Sequence, residues 1–402
     1  MTDVPKIVLR NGRLILPDRI LEGAAVVVEG RRIADIVSDG NPPAVDVGVD
    51  LAGAYLAPGM IDIHIHGARG VDLLTASPEG LRRWAQFLLT EGVTGFLPTT
   101  VPTDEAGYRE VLRSLGDYLS AGPPSDAARI LGIHFEGPFV NPFRAGALRV
   151  EYLRSYRQPD DLGVFLSGDF PVRPFVRMMT LAPEIHGGLD LVHELAARGF
   201  LLAIGHSQAL VGECQQAARH GVRHITHFFN ALAPLHHRNP GVVGWGMVAD
   251  SVTVDLIADG HHLDELMIEL VRRTKGPQRI ALISDAIAPT GLGDGSFEVW
   301  GQTIRVSGGK TANPAGSLAG SVITLRDAVR NLRRWGVPLT EIMQMASLVP
   351  ARLLGLEAEF GSIEPGKRAD LIAFDEETTI RFVMLDGNIV VGNGTAISPA
   401  GS

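Results

Sequence analysis

The sequence predicts an α/β fold: a (β/α)8 barrel of the TIM type carrying a small β-sandwich built from both chain termini. Three observations carry that prediction. Both ends of the chain read as short β segments, eight strand-like segments alternate with helical patterns between them, and histidines and carboxylates gather where those strands end.

The chain has 402 residues, enough for one large domain with a smaller one attached. Hydrophobic residues make up 45% and charged residues 20%, the balance of a soluble globular protein. A net charge of −9 argues against nucleic acid or an anionic membrane surface as partner, while leaving room for a local anion site. No apolar run approaches the roughly 20 residues a membrane helix needs. The opening MTDVPKIVLRNGRLILP lacks a basic region followed by an apolar core, so no secretory signal is expected and the expected location is the cytoplasm. Cys214 is the single cysteine, which excludes an intrachain disulfide and a cysteine-rich zinc site.

Residues 3–57 contain KIVLRNGRLI, AAVVVEGRRIADIV and VDLAGAYLAPG, apolar runs broken at Asn-Gly, Glu-Gly and Ala-Gly as hairpins are. GSIEPGKRADLIAFD and TIRFVMLDGNIVVGNG, near the other end, have the same texture. The expected division is a sandwich from residues 1–57 and 356–402 around a barrel of residues 58–355. Within that middle, strands are expected around 60–66, 95–100, 129–136, 176–181, 200–205, 223–227, 252–257 and 279–285. Helical patterns such as LRRWAQFLLTEG, LDLVHELAARG and LVGECQQAARHG lie between them, each closing on a glycine. A doubly wound open sheet is the competitor, but no glycine-rich phosphate loop follows the first strand.

The first barrel strand runs MIDIHIHG. Alternation along a strand puts His64 and His66 on one face with Asp62, and Ile61, Ile63 and Ile65 on the other. Alone, an H-x-H pair fits a metal site, a proton relay or two separately satisfied buried histidines, and for an isolated pair the structural reading is the commoner one. The remaining strand ends decide for metal: Glu136, His206, His227 and Asp285 all fall where barrel active sites lie. His64 and His66 would hold one divalent ion and His206 and His227 a second, with Glu136 bridging. Water between two such ions becomes a nucleophile near neutral pH. Asp285, opposite, can take its proton and hand it to a leaving group. A carboxylated-lysine bridge is not expected, because Lys6, Lys275, Lys310 and Lys367 all lie away from strand ends. His134 and Asp62 read as supporting groups, His224 as structural, Glu184 as a loop cap or a supporting carboxylate, Cys214 as inert, and His186, His193 and His220 as surface residues. Histidine and carboxylate ligands suit one or two ions per subunit, zinc before iron, manganese or cobalt.

The ordered series PGMIDIHIHG, HFEGPFVNP, LAPE, AIGHS, THFFNALAPLHHRNPGVVG, LIADGHH, ISDAIAPTG and AGSVITLRDAVRNL, followed by ASLVPARLLGL and GSIEPGKRADLIAFD, resembles the N-acetylglucosamine-6-phosphate deacetylase family of the amidohydrolase superfamily. The resemblance spans nearly the whole chain. It implies removal of acetate from N-acetyl-D-glucosamine 6-phosphate. Glu136, His206 and His227 match the family's principal metal ligands, Asp285 its catalytic aspartate, and His64 and His66 the further pair of two-metal members. Asn230, Ala231, Arg238 and His262 match positions that hold the sugar phosphate and hydroxyls. A neighbouring subunit contributes to that anion site in the family, which implies a homodimer.

One position departs from the pattern. Where the family reads Gly-small-His after its EGPF segment, with the histidine polarising the acyl carbonyl, this chain reads RAGALRV and places Leu148. Losing such a donor costs around a hundredfold or more in rate. Arg144, Arg149 and His237 are candidate replacements, and reliance on the metal alone is another solution. The departure also admits an alternative substrate: another N-acyl sugar, an N-acyl amino acid or a cyclic amide. A catalytically silent sugar-phosphate sensor is a third reading, opposed by the full set of ligand-type residues.

Overall fold

The computed structural model describes residues 5–40, 45–122, 124–168, 170–172 and 174–392, and the backbone of 396–399. Eight barrel strands are present among the described residues: β1 (Met60–Ile65), β2 (Val93–Thr100), β3 (Gly132–Glu136), β4 (Val176–Leu181), β5 (Leu201–Ile204), β6 (Val222–Ile225), β7 (Thr253–Ile257) and β8 (Ile280–Ile283). Consecutive strands pair in parallel from β1 to β8. The ring nearly closes beyond the last strand, where Asp285 N donates to His64 O at 2.9 Å and His66 N to Ala286 O at 2.8 Å. All eight segments expected from the sequence are strands.

Amphipathic helices cover the outside. Pro78–Thr90 begins at Ser77, whose side chain accepts from Gly80 N, and Glu105–Ser120 begins at Asp104, which does the same for Gly107 N. The three glycine stops behave as expected: Gly92, Gly199 and Gly221 follow their helices with φ of 82°, 77° and 122°. The helices bury Trp84, Leu88, Leu115 and Leu191 against outward strand residues such as Phe96, Phe135 and Leu202.

Strict alternation fails on β1. Ile61 and Ile63 pack with the barrel-interior cluster of Leu97, Leu131, Met178 and Ile283, whereas Ile65 joins the layer under the helices. The pairing of β1 with β2 slips between Phe96 and Pro98, and an inserted residue of this kind reverses the faces beyond it.

Both ends of the chain build the sandwich. One sheet orders Ala396–Pro399, Val47–Asp50, Lys6–Arg10, Ala24–Glu29 and Arg32–Ser38; the other orders Asn388–Gly392, Ile380–Leu385, Leu371–Phe374, Tyr55–Pro58, Arg13–Ile15 and Ile20–Leu21. Leu9, Leu14, Val26, Val28, Phe382 and Met384 fill the space between them. Arg129, at the foot of β3, ties the barrel to this unit through Asp370 at 3.0 Å and Asp386 at 3.2 Å. A three-stranded meander after β8 (Gly295–Val299, Gln302–Ser307 and Lys310–Ala312) was not expected from the sequence. Among the described residues no helix is long and apolar enough to cross a membrane.

Candidate metal centre and active site

The strand ends meet at one mouth of the barrel. His64, His66 and Asp285 form one group of potential metal ligands and Glu136, His206 and His227 another, all buried. Glu136 lies between them. Its Oε1 is 2.9 Å from His206 Nε2, 3.0 Å from His227 Nε2 and 3.6 Å from His64 Nε2, and its Oε2 is 3.5 Å from His66 Nε2. Asp285 Oδ1 faces the same ring from the far side, 3.1 Å from His66 Nε2 and 3.4 Å from His64 Nε2.

The backbone is bent to achieve this convergence. His206, His227 and Asp285 have φ of 48°, 31° and 50°, the left-handed region that non-glycine residues seldom occupy. Each lies just beyond the end of its strand, where the chain turns and the side chain joins the cluster. Such conformations cost about 1–2 kcal/mol each and persist where the surroundings enforce them. Glu184 supplies part of that enforcement: its carboxylate accepts from Asn141 Nδ2 at 2.9 Å, Ser207 Oγ at 2.7 Å and Gln208 N at 2.7 Å. It fastens the loop directly after His206. Asp255 does the same below His227, accepting from its backbone N–H and from His224 Nε2.

The donor set fits a cation. His66 Nδ1 lies 3.1 Å from Thr99 O, His206 Nδ1 2.8 Å from Arg144 O and His227 Nδ1 3.1 Å from Asn230 O. Each Nδ1–H therefore donates to a main-chain carbonyl, which turns Nε2 toward the centre, as metal-binding histidines require. The Nε2 atoms of His206 and His227 are 3.1 Å apart, as are those of His64 and His66. Facing lone pairs at that separation call for positive charge between them. The carboxylates ask for the same charge. Burial acts to raise the Glu136 carboxyl, but His64 and the hydrogen bonds from His206 and His227 outweigh it and hold the group well below the usual carboxylate range. Burial likewise opposes charge on His227, yet the bond to Glu136 pushes its pKa up to about 9. A divalent ion supplies that positive charge without a proton.

The supporting residues sort clearly. His134 packs 4.6 Å from the His64 ring, with Nε2 2.8 Å from Thr180 Oγ1 and Nδ1 3.2 Å from Ile63 O, so both nitrogens are engaged within the barrel. Burial pushes Asp62 up to about 7. His224 bonds Asp255 and Thr253. Cys214 is buried away from the site, its thiol pushed up to about 12 by burial. His186, His193 and His220 are exposed.

A cavity of about 170 Å³ opens onto the cluster, and Asn230, Ala231 and His262 line it. His262 Nδ1 is held by Asp259 Oδ2 at 2.7 Å, leaving Nε2 for a ligand. Arg238 is not brought there: it lies exposed on the 235–239 loop, its Nη1 2.8 Å from His237 Nε2. Leu148 is in the cavity wall, and none of the three candidate replacements lines it. Arg144 contributes its carbonyl to His206, Arg149 reaches Trp300 O and Glu151, and His237 is exposed. Sequence reasoning missed Trp300 and Leu318, which complete the wall. The available signal was Trp300-Gly301 in a hairpin turn, where Asn-Gly is the usual pair.

The amidohydrolase family pattern matches residues 55–391. An N-acetylglucosamine-6-phosphate deacetylase of Lysinibacillus sphaericus is 35% identical over 96% of this chain and 98% of its own. An N-acetylgalactosamine-6-phosphate deacetylase of Escherichia coli O157:H7 is 33% identical over 95% of this chain and 98% of its own. Among solved structures, a variant N-acetyl-D-glucosamine-6-phosphate deacetylase from Mycobacterium smegmatis in complex with N-acetyl-D-glucosamine-6-phosphate superposes with a TM-score of 0.87, at 28% identity over 97% of this chain and 100% of that one. With the barrel, the paired ligand groups and matches over nearly its full length, the chain belongs to the amidohydrolase family and, within it, to the N-acetylglucosamine-6-phosphate deacetylases.

Proposed function

We propose that this protein hydrolyses the acetamide of N-acetyl-D-glucosamine 6-phosphate to D-glucosamine 6-phosphate and acetate. The observation that carries the reading is a single cavity lined by Glu136, His206, His227 and Asp285 together with Asn230 and His262. Ligand-type residues and candidate sugar contacts thus open onto the same space. The relatives' common N-acetylhexosamine 6-phosphate names support this reading over N-acyl amino acids and cyclic amides, and the N-acetylglucosamine names among them support the gluco sugar.

His64 and His66 would hold one divalent ion and His206 and His227 a second, with Glu136 shared between them and zinc the first choice. Bound there, such an ion polarises a carbonyl and lowers the pKa of water. The chain's own residues supply the rest. The Asp285 carboxyl is opposed by burial, but His64 and the hydrogen bond from His66 hold it below its ordinary value, so it is ionised at neutral pH. It accepts a proton from the attacking water and returns it to the departing amine nitrogen as the C–N bond breaks. Asn230 and Ala231 hold the sugar, and His262 Nε2 meets a hydroxyl or phosphate oxygen. Arg238 meets the phosphate across a homodimer contact, its exposed position being suited to a neighbouring subunit. The working unit is a cytoplasmic homodimer whose barrel spans residues 58–355 and whose sandwich joins residues 1–57 and 356–402.

The test is acetate release from N-acetyl-D-glucosamine 6-phosphate by protein with counted metal, beside the unphosphorylated sugar and the galactosamine epimer. Rapid phosphate-dependent release with preference for the gluco substrate is expected. No release from fully metallated protein overturns the reading.

A further inference from the structure

The cavity has two unlike kinds of lining. Beside the histidines and carboxylates stand Leu148, Trp300 and Leu318, none of which aims a polar side-chain atom into it; the indole N–H of Trp300 is turned toward the half-buried Asp72. Trp300 reaches this place from the meander after β8. Val299 pairs with Gln302, so Trp300 and Gly301 are the two residues of a tight hairpin loop, with φ of 53° and 72°. Both signs are those of a turn that favours Asn-Gly, and a tryptophan at the first position is strained there. The strain holds a ring in a defined place. The indole meets the His66 ring edge-on, with centroids 5.0 Å apart and planes at 76°, and packs against the cluster of Val101, Val140, Ala145 and Leu148. Two bonds stitch the turn to the Leu148 segment: Arg149 Nη1 donates to Trp300 O at 3.3 Å and Gln302 Nε2 to Ala147 O at 3.4 Å. Leu148 itself is only 7% exposed.

From this geometry we infer that Leu148 and Trp300 together form the acyl-recognition wall of the enzyme, receiving the methyl of the N-acetyl group and excluding longer acyl chains. A scissile amide presents one polar and one apolar end, and the polar lining of the cavity takes the carbonyl and nitrogen. The apolar lining is left for the acyl substituent. Leu148 is then a specificity residue, not a lost donor, and its partner is a side chain from about 150 residues further along the chain.

The inference rests on the deacetylase reading. Its test compares kcat/KM for N-acetyl-, N-propionyl- and N-butyryl-D-glucosamine 6-phosphate in wild type, Trp300→Gly, Trp300→Phe and Leu148→Ala. Glycine relieves the turn, so the Gly variant keeps its fold. A methylene in an apolar pocket is worth roughly tenfold or more in discrimination. Trp300→Gly and Leu148→Ala should therefore raise the butyryl-to-acetyl ratio by about tenfold or more, while Trp300→Phe stays near wild type. Inhibition by D-glucosamine 6-phosphate, which has no acyl group, should be equal in all four proteins. An unchanged acyl ratio in both Trp300→Gly and Leu148→Ala overturns the inference and leaves the deacetylase reading intact. A wild type that cleaves none of the three substrates overturns that reading itself.

Discussion

Replacing Asp285 by Asn tests the proposed proton-carrying role while keeping the shape of the side chain. Its main-chain bonds, Asp285 N to His64 O at 2.9 Å and Ser321 N to Asp285 O at 2.7 Å, do not involve the side chain and survive the change. The left-handed φ of 50° also survives, because Asn is among the few residues that adopt it readily, whereas Ala is not. The main-chain path at residue 285 should therefore be kept. The amide oxygen can keep its place 3.1 Å from His66 Nε2, so metal content should hold. What the amide cannot do is take and release a proton. General acid–base catalysis contributes roughly 10²–10⁴-fold, so kcat should fall by that factor, or about 3–5 kcal/mol in barrier, with little change in KM. The assay is acetate release with metal counted on the same preparation. A fully metallated Asp285→Asn protein whose kcat stays within about tenfold of wild type refutes the role.

Three further outcomes are expected. Stripping metal with a chelator should lower the urea midpoint, since an ion present at about 1,000 times its Kd stabilises by about 4 kcal/mol; equal midpoints with and without metal would show that the Nε2 cluster is not an ion site. Glu184→Ala removes three hydrogen bonds behind His206 and should weaken metal binding roughly 10–100-fold while destabilising the fold by about 2–4 kcal/mol, measured by metal titration and urea unfolding; unchanged metal affinity would separate Glu184 from the site. Lys275 is buried with Nζ on Ala249 O, and burial brings its pKa from 10.5 down to about 8. Between those values the unfolded chain holds a proton that the folded chain has lost, so stability should rise with pH across that window and level off below the folded value, where both states are protonated. Lys275→Met should flatten that slope in urea unfolding, and an equally steep slope in the variant would assign it to another group.

Much of this protein is legible in its sequence because the relevant signals are local. Eight apolar segments of strand length, glycine after each helical pattern and Asn-Gly-type breaks at both ends specify a barrel with a split sandwich, since periodicity and turn chemistry act over a few residues. The ligand-type residues were legible for the same reason: strand ends converge in any closed barrel, so His64, His66, Glu136, His206, His227 and Asp285 needed only to be placed on their strands. What only the tertiary structure decided depends on atoms brought together from afar. The slip beside Phe96 and Pro98 that splits Ile61 and Ile63 from Ile65 arises from pairing between two strands, which no single strand encodes. The left-handed turn at His206 is held by Glu184 through Ser207 and Gln208, and that at His227 by Asp255, each anchor coming from a different segment of the chain. Arg238 lies outside the cavity that its neighbour Asn230 lines, because the 235–239 loop runs over the surface. Leu148 acquires its meaning only when Trp300 arrives beside its cluster on a hairpin formed after the last barrel strand, where side-chain packing replaces chain proximity as the force that builds the site.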